Sequence, residues 1–218
     1  MTTFVSLLLS LVMVLLCLAI PWGARQIKSW QILVVFCICF ALWVLGAALS
    51  LAWYPWTNIV VFLAGVGAGV LLGRVIPAKF WPFFIFLLIM SALDVTQIVL
   101  STHGSSSASQ NTSISVGELY ANFFLLFPWG PYNIGPFDLL IFAAVGTYWR
   151  RLNGSFLVAF VGLALGVIVA YAILIVRPGT VLPLIPFLTA GWLCSVGIAR
   201  LGSRTKAREA PVQSKSVS

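Results

Sequence analysis

NIGPFDLLIFAAVG (residues 133–146) holds a carboxylate, Asp138, inside a run otherwise suited to lipid, with a Gly and a Pro just before it. The chain around it is of the same kind. Of 218 residues, 61% are hydrophobic and 7% are charged, where a soluble domain carries about a quarter charged residues. Apolar runs of about 18 residues or more recur, each long enough to cross the hydrocarbon core of a bilayer. Their continuity excludes a β-barrel, whose strands are short and alternate. The sequence therefore predicts an all-α polytopic membrane protein. Its many Phe and Trp residues suit lipid-facing surfaces and interfacial belts.

Working outward from residue 138, seven spans are expected, at about 4–22, 31–53, 57–73, 80–101, 132–149, 155–176 and 182–201. The net charge is +8. In a soluble protein that excess would point to nucleic acid, but here the basic residues fall between apolar runs and report topology. Arg25, Lys28, Arg74, Lys79, Arg150, Arg151, Arg200, Arg204, Lys206, Arg208 and Lys215 all follow odd-numbered spans, and Arg177 alone falls on the other side. The positive-inside rule then places the N-terminus out and the C-terminus in. A plasma membrane is the expected location if the source is prokaryotic. The first segment lacks a basic leader and reads as a retained helix, the alternative being a cleaved signal peptide.

Three parts follow: an N-terminal three-helix part (1–79), a four-helix part (80–201) with an outer loop (102–131), and a disordered basic cytoplasmic tail (202–218). The loop begins polar, with His103 and a sequon at Asn111, and then turns apolar and aromatic, as an interfacial or re-entrant segment would. The third span carries Gly65, Gly67, Gly69 and Gly73, and the sixth Gly162, Gly166 and Ala170. Small residues every four positions let helices approach closely. Cys17, Cys37, Cys39 and Cys194 lie in apolar segments without metal spacing and read as buried thiols. No cofactor or metal is expected.

The chain has two aspartates, Asp94 and Asp138, and both fall inside expected spans. An acid at that depth costs roughly 2.5–3.5 kcal/mol on insertion scales and as a rule faces a cavity or a partner. Counting from the outer ends of their spans, Asp94 lies ~10 Å deep and Asp138 ~9 Å deep, on sequential antiparallel helices. No basic residue matches that depth. Two such carboxylates cannot both ionise easily and would share a proton. That arrangement suits aspartic proteolysis, one carboxylate activating water and the other protonating the scissile group. A proton- or cation-coupled transporter could use the same acids. Two separate polar residues bonded within the bundle are the plainer alternative. Gln97 lies on the Asp94 face, beside Thr96. A retinal pump is excluded, because the last span has no Lys.

With LDVTQIVLS (93–101), GPFD (135–138) and PLIPFL (183–188) in this order, the chain resembles the presenilin and signal peptide peptidase family of intramembrane aspartyl proteases. The resemblance covers about 80–200. It implies an Asp94/Asp138 catalytic dyad, with Gly135, Phe137, Pro183, Leu184, Ile185 and Pro186 forming the substrate-binding surface. It also implies transmembrane-helix or signal-peptide substrates, in the orientation of the signal peptide peptidases. Family members usually have nine spans, so seven implies a short member. Leu93 stands where the family has Tyr, Phe137 where it has Gly, and Leu184-Ile185 where it has Ala-Leu. A phenylalanine beside the second Asp would fill room a glycine leaves for substrate. A non-catalytic membrane-protein-binding homologue is therefore a third reading. Independently of the family, Pro183 and Pro186 remove two N–H donors at the start of the last helix, where exposed backbone could pair with an extended substrate.

Overall fold

Among the described residues the apolar runs form seven α-helices: α1 (Thr2–Gly23), α2 (Ser29–Ala48), α3 (Trp56–Val75), α4 (Phe80–Gly104), α5 (Pro136–Arg151), α6 (Phe156–Val176) and α7 (Leu184–Glu209). The structure, a computed structural model, describes residues 2–23, 26–48, 56–104, 135–177 and 182–209, and no strand occurs among them. Most of the outer loop, with Asn111 and Glu118, lies outside the described residues, as do residues 210–218.

Two helix ends differ from the sequence reading. α4 continues through His103, expected to open the loop, and stops at Gly104. Its proline, Pro82, sits in the first turn, where a missing N–H costs nothing. α7 continues to Glu209, so 202–209 are helical rather than part of a disordered tail. Arg204, Lys206, Ala207 and Arg208 are good helix formers, and charge outside lipid does not end a helix.

Four helical segments are long and apolar enough to cross a membrane: Phe4–Gly23, Ser29–Gly46, Asn58–Val75 and Phe156–Val176. Phe80–Thr96 and Leu184–Ala199 are shorter apolar stretches. These features are compatible with an integral membrane protein.

Successive helices run in opposite directions. Arg74 at the end of α3 donates from Nη1 to the Ile27 carbonyl and to Ser29 Oγ, both at 3.0 Å. Arg150 at the end of α5 donates to the Pro21 carbonyl in the last turn of α1. Arg151 donates from Nη1 to the carbonyls of Gly73, Arg74 and Ile76 at 2.8, 2.7 and 2.6 Å. The described connections 26–28, 76–79 and 152–155 thus share one end of the bundle, and Lys28, Arg74, Lys79, Arg150 and Arg151 lie there. The turn after α5 is a Schellman closure: Gly154 N–H bonds to Trp149 O at 3.0 Å and Asn153 N–H to Arg150 O at 2.9 Å. Asn153 takes the left-handed conformation this closure needs, with φ 55°.

α5 is the centre of the bundle. It packs on α1, α3, α6 and α7, and every residue from Ile141 to Trp149 is buried. The α3 stripe fits against it, with Gly65 facing Pro136 and Leu139, Gly69 facing Leu140 and Ala143, and Gly73 facing Thr147. A Cβ at Gly69 would collide with the α5 backbone. α6 and α7 cross as closely: Gly162 lies against Trp192 and Ser195, and Gly166 against Phe187 and Leu188. α2 leans on α3 and otherwise shows an apolar outer face. Of the four thiols, Cys17 and Cys39 are buried as expected, whereas Cys37 and Cys194 are exposed on apolar faces, and all four are free.

Candidate functional site

Asp94 lies on α4 and Asp138 in the first turn of α5, both half-buried, and Asp138 is within Coulombic range of Asp94. The two acids do come to one end of the bundle, opposite Arg74, Arg150 and Arg151, but by an unexpected route. Among the described residues α4 does not pack closely along α5. It packs on α7 instead. Its link to α5 runs through long side chains nearer the basic end, where the Phe83 and Tyr148 rings stack with centroids 3.9 Å apart.

α7 therefore positions Asp94. Ser91 and Thr189 share a hydrogen bond of 3.1 Å between the two helices. One turn further along, Asp94 Oδ2 accepts the Ile185 N–H at 3.0 Å, and the Leu184 N–H also bonds to this carboxylate. The first four N–H groups of a helix have no partner inside it. In α7 these positions are Pro183, Leu184, Ile185 and Pro186. The two prolines have no N–H, and Asp94 takes both of the others. The proline pair and Asp94 thus form one device: two donors are deleted, and one carboxylate from another helix satisfies the rest.

Asp138 does the same within its own helix. Gly135 is the N-cap and Pro136 the first helical residue. The Gly135 N–H donates to Asp138 Oδ2 at 2.8 Å, while the Asp138 N–H returns to Gly135 O at 3.1 Å. The first bond is the N3 arm of a capping box; glycine has no side chain to supply the other arm, and the second bond is an ordinary backbone turn. Among the described residues Asp138 Oδ1 takes no hydrogen bond, whereas Oδ2 is held by the Gly135 N–H.

The remaining expected site residues divide. Gly135 is buried against Asp138, and Ile185 is buried in the core. Pro183, Leu184 and Pro186 are half-buried. The Leu184 and Ile185 donors are already used, so they do not offer themselves to an extended substrate. Phe137 is 50% exposed and Leu93 58% exposed, so both turn outward from the bundle. Thr96 bonds back to the Ala92 carbonyl at 2.7 Å. The sequence reading missed the cross-helix cap, although Gly135-x-x-Asp138 and the paired prolines were legible signs of two unsatisfied helix starts.

No protein-family model, curated protein or solved structure matches the chain. The site's chemistry is that of two carboxylates at one end of the bundle, each bonded to backbone N–H at a helix N-terminus.

Proposed function

We propose that the protein is an intramembrane aspartyl protease in which Asp94 and Asp138 form the catalytic dyad. The observation that carries the reading is the convergence of these acids at one end of the bundle, with Asp138 in Coulombic range of Asp94. Backbone N–H groups hold Oδ2 of each carboxylate at a fixed angle. Preorganised orientation of this kind is what an acid–base pair needs. One carboxylate would activate water and the other would protonate the scissile carbonyl or leaving amine. Substrates would be transmembrane helices or remnant signal peptides. With this goes a topology of seven spans, N-terminus out and C-terminus in, supported by the basic residues gathered at one end. Kinship with the presenilin and signal peptide peptidase family is part of the same proposal.

The test is cleavage of a single-span helical substrate by protein reconstituted in liposomes. Asp94→Asn and Asp138→Asn are each expected to reduce the rate by at least about a hundredfold, the scale of acid–base catalysis. Wild-type cleavage by either variant overturns the reading. Ion-dependent solute uptake, lost in the same variants and without cleavage, selects a proton- or cation-coupled transporter instead. One observation favours a non-catalytic reading: both carboxylates already serve as helix caps. In that case the double Asn variant would keep full binding of membrane-protein partners.

A further inference from the structure

At the end of the bundle opposite the aspartates, Pro21, Arg74, Thr147, Arg150, Arg151 and Asn153 line a cavity of about 520 Å³. That volume lies within the range of small-ligand sites. Three arginines line it, and Arg150 is within Coulombic range of Arg74. The described acidic side chains, Asp94 and Asp138, both lie at the other end, so none of them offsets this charge.

The arginines are held in place by backbone. Arg150 uses Nη1 on the Pro21 carbonyl, and Arg151 uses Nη1 on three carbonyls at the end of α3. These bonds complete two helix C-termini, where cations are favoured. They occupy only one nitrogen of each group. Among the described residues, Nε and Nη2 of Arg150 and Arg151 have no acceptor. Guanidinium groups present donors in a fixed fork that matches phosphate oxygens. A cavity with several such donors, anchored from behind and without a described carboxylate, is built for a multiply accepting anion.

We propose that this cavity binds a phosphate group, carried either by an anionic lipid headgroup or by a free phosphate. The site is independent of the aspartates and of any proteolytic activity. Its place at the basic end of apolar helices puts it where headgroups lie.

The test is the thermal stability of the full-length protein in phosphatidylcholine nanodiscs. In one arm inorganic phosphate is titrated at constant ionic strength. In the other, phosphatidic acid is included in the bilayer without free phosphate. A saturable rise in Tm in the first arm identifies free phosphate, and a rise in the second alone identifies a headgroup. Either result supports the site. Arg151→Gln is expected to weaken the apparent affinity about tenfold or more. Lys79→Gln, which removes a charge at the same end outside the cavity, should leave it unchanged. Arg150→Lys, which keeps a charge and a donor for the Pro21 carbonyl, should weaken it less. No rise in the wild type in either arm overturns the proposal. So does an affinity untouched by both arginine variants, or an equal loss in Lys79→Gln, which would mark a general basic surface.

Discussion

Asp94 carries two duties that a substitution can separate. Its carboxylate satisfies the Ile185 and Leu184 N–H groups, and it lies within Coulombic range of Asp138. Asp94→Ala removes both, leaving donors unpaired at a half-buried helix start. It should cost about 2 kcal/mol in reversible unfolding measured in detergent. Asp94→Asn keeps an accepting oxygen and should cost clearly less while abolishing cleavage. If both variants unfold alike, the cap is not what Asp94 provides. Phe137 makes a different prediction. Half-exposed beside Asp138, it stands at the margin of the site rather than inside the bundle. Phe137→Gly should raise kcat/KM for a helical substrate, at about 1 kcal/mol of helix stability. An unchanged kcat/KM would show that the residue lies away from the substrate path.

Helices here are joined by two kinds of contact, close backbone approach and aromatic stacking. The glycine stripes belong to the first. Gly191 lies against the Gly162 carbonyl and Gly166 backbone, so Gly191→Leu should destabilise the protein by about 3 kcal/mol or prevent folding. Gly197→Leu, with open space around it, should be close to neutral. Equal costs would mean that propensity rather than packing decides. Of the second kind, Tyr148 stacks on Phe83 and lies edge-on to Trp192. These rings join α4, α5 and α7 nearer the basic end, while Asp94 joins α4 to α7 nearer the other. Tyr148→Ala should cost about 3–5 kcal/mol by unfolding. The small residues were legible in sequence as packing signals, because a four-residue period names a helix face. Which helix they meet was not legible: Gly65, Gly69 and Gly73 face α5, whereas Gly67 faces Phe36 of α2.

Across the whole molecule, the described inter-helix connections lie at one end and carry the clustered arginines. If the helices span a bilayer seven times, positions 79 and 177 lie on opposite sides. In a cysteine-free background, Arg177→Cys should react with an impermeant maleimide from outside, and Lys79→Cys only after permeabilisation. The reverse pattern overturns the orientation, and labelling of both from one side overturns the alternation. The sequence alone determined the helices and the charge asymmetry, because hydropathy and chain periodicity are local properties. It also picked out the two aspartates, since an acid in an apolar run is conspicuous by itself. Only the tertiary structure decided that NIGPFDLLIFAAVG leads into the central helix rather than a lipid-facing one. Lipid and protein core are equally apolar, so composition cannot separate them. The tertiary structure likewise decided that Asp94 reaches α7, that the prolines leave it two donors to satisfy, and that three arginines line one cavity. Each of those depends on which helices are neighbours, and that follows from how glycine stripes and ring stacks fit together across distant parts of the chain.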